Sequence, residues 1–128
     1  MEAGVEIQGR GYRRLKVYLE AEQLAADVLR ITEKYPKNEV FGAAAQSRSA
    51  ALSVVSNIAE GYRRFSRREF IRFLKIAYGS CGELEAQLSV ASKAGWIEKA
   101  DYETLAIRQD IVSRWLYRLI ESISRKLD

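Results

Sequence analysis

Apolar side chains recur along this chain at alternating steps of four and three, the spacing that gathers them on one stripe of an α-helix. From about Arg13 to Lys34 the stripe is Val17, Ala21, Leu24, Val28, Ile31 and Tyr35, with Glu20, Glu22, Gln23, Asp27 and Arg30 assigned to the wet side. Pro36 ends this segment, because it lacks an amide hydrogen and biases Tyr35 away from helical dihedrals. Asn38 is the expected N-cap of a second helix, with Glu39 near its positive end and Gly61 as its C-terminal glycine. Ala43, Ala44, Ala45, Ser47, Ser49, Ala50, Ala51, Ser53 and Ser56 keep this helix thin on nearly every face, so it is predicted to be the most enclosed.

Ser66 and Glu69 have the capping-box spacing that opens a third helix, whose stripe Phe70, Leu74, Ala77, Cys81, Leu84, Leu88 and Ala91 ends at Gly95. A fourth helix from about Lys99 to Lys126 carries Tyr102, Leu105, Gln109, Val112, Leu116, Leu119 and Ile123, with Ile111, Trp115 and Ile120 as a second apolar line. Short links and the absence of any strand pattern predict an all-α fold, an antiparallel up-down-up-down four-helix bundle. Residues 1–11 read as a flexible tail and 12–128 as the bundle domain. The thin second helix and the two-sided fourth point to self-association.

At 128 residues the chain has room for one domain. Its net charge of +4 matters less than where the charges fall. Between Gly61 and Lys75, Arg63, Arg64, Arg67, Arg68, Arg72 and Lys75 stand against Glu69 alone, and Arg10, Arg13, Arg14 and Lys16 add a second basic stretch. From Ile76 to Ile107 acids predominate. A single cysteine, Cys81, allows no intrachain disulfide, and no stretch is apolar enough for a bilayer span or a signal segment. A cytoplasmic protein with no membrane partner is expected.

The chain has no histidine, which removes the commonest general base and metal ligand; no enzyme, metal site or cofactor is expected. Cys81 sits mid-stripe and reads as a buried structural thiol. Gly79 and Gly82 lack the flanking elements of a phosphate loop and predict close helix packing instead. Gln46, Arg48, Asn57, Glu60, Glu83 and Glu85 predict a structural polar network, with Arg48 paired to Glu60, Glu83 or Glu85.

The six cations around the turn, interleaved with Tyr62 and Phe65, offer guanidinium groups for phosphates and rings for bases. Arg63, Arg64, Arg67, Arg68, Arg72 and Lys75, followed by Arg13, Arg14 and Lys16, are therefore the candidate RNA- or DNA-binding residues. The alternative is a solvated, arginine-rich turn that pairs with acids on a neighbour, in a protein–protein scaffold without direct nucleic-acid binding.

The run Gln46, Arg48, Ala50 and Ser56-Asn57-Ile58-Ala59-Glu60-Gly61, then Glu69-Phe70, Phe73-Leu74, Ala77, Gly79-Ser80 and Glu83-Leu84-Glu85, resembles the four-helix bundle family named for the intervening sequences of 23S ribosomal RNA. Leu15, Val17, Ala21, Pro36, Glu39 and Gly42 extend the likeness; Val55 and Ala43 to Ala45 depart from it. The resemblance implies an antiparallel bundle assembling into a ring-like homopentamer, without an active site. Some relatives are accessory proteins of diversity-generating retroelements, which implies a reverse transcriptase as a candidate partner beside RNA or DNA.

Overall fold

A computed structural model describes residues 15–127. They form α1 (Lys16–Thr32), a 3-10 turn at Lys37–Glu39, α2 (Ala43–Tyr62), α3 (Arg67–Lys93) and α4 (Lys99–Arg125). The tail expected at residues 1–11 lies outside the described residues, as do Arg13 and Arg14. No strand occurs among the described elements.

Four stripes close on one core. Val17, Leu24 and Val28 of α1, Val54 and Ile58 of α2, Leu74, Cys81 and Leu84 of α3, and Leu105, Val112 and Leu116 of α4 are all fully or almost fully enclosed. Burying such side chains contributes about 1.5–3 kcal/mol each, and this outweighs intrinsic helix propensity in holding the helices. α2 and α4 each pack on α1 and α3, while the backbones of the diagonal pairs do not come close among the described residues. Ser47 Oγ donates to Gln87 Oε1 at 3.1 Å and Ser53 Oγ meets Ser80 Oγ at 2.9 Å, so residue numbers rise along α2 as they fall along α3. Gln109 Nε2 donates to the Cys81 carbonyl at 3.3 Å, and Arg67 Nη1 to the Lys126 carbonyl at 3.2 Å, fixing the register of α3 on α4.

The helix ends follow local chemistry, with two departures from expectation. Asn38 lies in the 3-10 turn rather than capping α2, which starts only after Gly42; the Ala43 amide instead donates to Glu39 Oε1 at 3.3 Å. A carboxylate one turn upstream thus meets an unpaired amide at the positive end of the helix. Ser66 Oγ accepts from the Glu69 amide at 3.2 Å as predicted, but the Glu69 carboxylate takes both its bonds from Arg72, at 3.1 Å each. Gly95, at φ +82°, closes α3: its amide reaches the Ser92 carbonyl and the Trp96 amide the Ala91 carbonyl, both at 3.0 Å.

α1 has the larger fully buried share, but α2 has the smallest exposed share of the four helices, with only Gln46, Ser49, Leu52, Ser56 and Glu60 in solvent. Asp27, assigned to the wet side, is buried: it accepts from Gln23 Nε2 at 3.0 Å and also pairs with Arg30. Arg108 of α4 lies 3.3 Å from Asp27 and 3.4 Å from Glu20, an ion cluster that joins α1 to α4. Trp115 and Ile120 of the second apolar line on α4 pack against the core, half-buried.

Three glycines separate by their surroundings. A Cβ at Gly61 would lie 2.7 Å from Phe73 Cβ, so this residue is there for close approach to α3 and not to end α2, which continues to Tyr62. Gly79 and Gly82 have nothing within 4 Å of the Cβ each would carry, contrary to the close packing predicted for them. Alanine at either position should stabilise the folded chain by about 0.5–1 kcal/mol, the helix-propensity difference. A lower melting temperature for either variant in thermal unfolding would mean that something does press on this face in solution.

Candidate nucleic-acid interface

The turn between α2 and α3 gathers the cations because α2 ends at Tyr62 and α3 cannot start before its cap at Ser66. Arg63, Arg64, Arg67, Arg68, Arg72 and Lys75 are all exposed. They divide into two sets. Arg64 pairs with Glu60 at 2.8 Å, Arg72 with Glu69, and Arg67 caps the end of α4 through the Lys126 carbonyl. The side chains of Arg63, Arg68 and Lys75 have no ion pair or hydrogen bond among the described residues. The Arg64 and Arg72 guanidiniums lie 4.8 Å and 4.5 Å from the Phe73 ring centroid, which anchors both chains against one aromatic ring. The Arg72 guanidinium beside Glu69 holds that carboxyl below its usual range.

The aromatics divide as well. Tyr62 is half-buried, its ring edge-on to Phe70 at 5.8 Å, and is withdrawn from the surface. Phe65 is fully exposed between Arg64 and Arg67. A bare phenyl ring costs solvation and here gains no packing, so its position among guanidiniums is the least explained by folding alone. Lys16, half-buried, opens α1.

The six residues expected to form one polar network are not joined into one. Arg48 faces α1, and its Nε donates to Thr32 Oγ1 at 2.8 Å rather than to a carboxylate. The reason is helical geometry: two residues turn the side chain about 200°, so Arg48 and Gln46 point to opposite sides. Asn57 Nδ2 donates to the Ser53 carbonyl at 2.8 Å and to Ser53 Oγ at 3.0 Å, and Glu60 serves Arg64. Gln46 and Glu83 line the same open polar groove of about 360 Å³ between α2 and α3. Glu85 is exposed on α3.

Cys81 is buried, and desolvation, with a smaller effect from the Glu85 carboxylate, pushes its thiol up to about 12. The thiol should resist a disulfide reagent in the native protein and react fully after denaturation. The folded state keeps the proton that the unfolded chain loses near 9.0, so this group's stabilisation is complete below that pH and is lost as pH rises toward about 12. Chemical denaturation across this range, with Cys81→Ala as reference, measures that slope.

Residues 13–118 match the sequence profile of the 23S rRNA-intervening sequence protein family. The chain belongs to that family. A crystal structure at 1.70 Å of a protein of unknown function, from the S23 ribosomal protein family of Bacteroides thetaiotaomicron, superposes with a TM-score of 0.76 and 22% identity. The match covers 82% of this chain and 95% of that one, and at such identity it speaks for the fold alone. No curated protein matches the sequence. In this member of the 23S rRNA-intervening sequence protein family, no described helix is long and apolar enough to cross a membrane. No group of acids or thiols among the described residues has the geometry to hold a metal ion.

Proposed function

We infer that this chain is a non-enzymatic, cytoplasmic protein that binds RNA or DNA on the basic surface of the α2–α3 turn, as a homo-oligomer of antiparallel four-helix bundles. The observation that carries this reading is the exposed ring of Phe65 set among guanidiniums, with Arg63, Arg68 and Lys75 lacking any internal counter-charge among the described residues. Phosphates are the acceptors that suit such groups, and each contact releases counterions. The hydrogen bonds between α2 and α3 and the Arg67 contact to α4 support the antiparallel order. Repetition of the patch in an oligomer, the ring-like homopentamer implied by the resemblance, multiplies a weak site into a strong one. Service to a reverse transcriptase, or at a ribosomal RNA intervening sequence, is the setting in which such an accessory would work.

A second reading, a protein–protein scaffold, is favoured by one feature: Ile76, Gly79, Gly82 and Val90 leave an exposed, thinly covered face on α3. Salt separates the two. Retention of labelled RNA should fall steeply and log-linearly with salt if phosphates are bound, and an apolar contact should barely respond. Failure of the protein to retain RNA even at low salt sinks the nucleic-acid reading.

A further inference from the structure

α3 and α4 bring two tyrosines together that lie far apart in sequence. Tyr78 and Tyr117 are 42% and 51% exposed, with ring centroids 6.2 Å apart at 44°. They line an open groove of about 330 Å³ together with Asp110, Ser113, Arg114 and Arg118. Arg114 pairs with Asp110 at 2.9 Å, in solvent, while the Arg118 side chain has no ion pair or hydrogen bond among the described residues. Lys75 precedes Tyr78 by three residues and so lies on the same stripe one turn nearer the basic turn. The register set by the Arg67–Lys126 and Gln109–Cys81 bonds puts Lys75 level with Tyr117 and Arg118.

The geometry points to a second nucleic-acid contact here: a stacking platform, made by Tyr78 and Tyr117 and flanked by Arg118 and Arg114, that takes unpaired bases of a single strand entering from the α2–α3 turn. This rests on the nucleic-acid reading above and narrows it to single strands. A ring slid between two others needs about twice the ~3.5 Å contact distance, so the tilted tyrosine pair is too narrow for intercalation. A base lies instead across their exposed faces, which requires it to be free of a partner strand. Arg118 meets the adjoining phosphate, and Arg114 can exchange its exposed, weak pair with Asp110 for another. From Arg68 to Tyr78 the track is about 15 Å along α3, within the reach of a few extended nucleotides. The Asp110 and Glu121 carboxylates on the same face of α4 oppose a purely electrostatic site, which makes ring stacking the distinguishing contribution.

The test uses the full chain, a fluorescent oligouridylate and a fluorescent RNA duplex of equal length, read by anisotropy at fixed salt. Joint replacement Tyr78→Leu and Tyr117→Leu should weaken single-strand binding about tenfold or more and leave duplex binding unchanged. Arg118→Ala should lower the single-strand salt slope by roughly one contact. If the original protein binds neither probe, both this inference and the functional reading fall. If it binds and the tyrosine variant binds equally well, only this inference falls. A reduced oligomer mass for the tyrosine variant also overturns it, because the face is then a contact between copies. Photocrosslinking of the unaltered protein to a 4-thiouridine strand checks the site without mutation. Adducts at Tyr78 or Tyr117 are expected, and adducts confined to the turn overturn it.

Discussion

Replacing Arg63, Arg68 and Lys75 together by alanine should lower affinity for labelled single-stranded RNA roughly fiftyfold at about 0.15 M salt, and the difference should vanish near 1 M. Each phosphate contact to a single strand contributes about 0.7 to the log–log salt slope, so three lost contacts reduce it by about two. These three cations are chosen because they have no internal partner among the described residues, so removing them breaks no described hydrogen bond or ion pair. Arg67 would be a poorer choice, since its guanidinium also satisfies the Lys126 carbonyl at the end of α4, and its loss mixes stability with binding. Fluorescence anisotropy across a salt series, with helicity and oligomer mass as controls, measures the change. An unchanged slope would remove the turn from the binding surface.

Gly61→Ala should lower the melting temperature by up to roughly 10 °C, the net of about 1–3 kcal/mol of overpacking and an opposing gain in helix propensity in a domain of this size. The added Cβ would sit 2.7 Å from Phe73 Cβ and 3.2 Å from the Phe70 carbonyl oxygen. Neither atom is the loose end of a side chain, so α2 and α3 must part near the turn. Helix propensity acts in the opposite direction by about 1 kcal/mol, and the clash exceeds it. The same substitution at Gly79 or Gly82 should have the opposite sign, because those positions look onto open space. Differential scanning calorimetry of the three variants gives the comparison, and equal shifts would contradict the α2–α3 spacing described here.

Much of the fold was legible from residue order. The stripes Val17, Leu24, Val28 and Leu74, Cys81, Leu84, Leu88 are buried where the four-three spacing places them. Ser66 caps α3 and Gly95 ends it as expected. At the candidate site the exposure of the six cations was legible, but their division into paired and free was not. It depends on Glu60 and Glu69 lying one helical turn away and on α4 ending within reach of Arg67. The Tyr78–Tyr117 ring pair was missed altogether. Its one trace in the sequence is that each tyrosine lies on the polar side of an amphipathic helix, and neither position alone says that the other faces it.

Residue order determined what neighbours within a few positions along the chain can enforce: four helices, their apolar faces, the cap at Ser66, the left-handed stop at Gly95 and a crowd of cations at one turn. Periodicity and backbone dihedrals act over such short spans. Only the packed structure decided which glycine is crowded, that Arg48 serves Thr32, that Asp27 is buried beside Arg108, and which arginines stay free. Each of these depends on the register and distance between separate helices, and those follow from how all the stripes close together on one core.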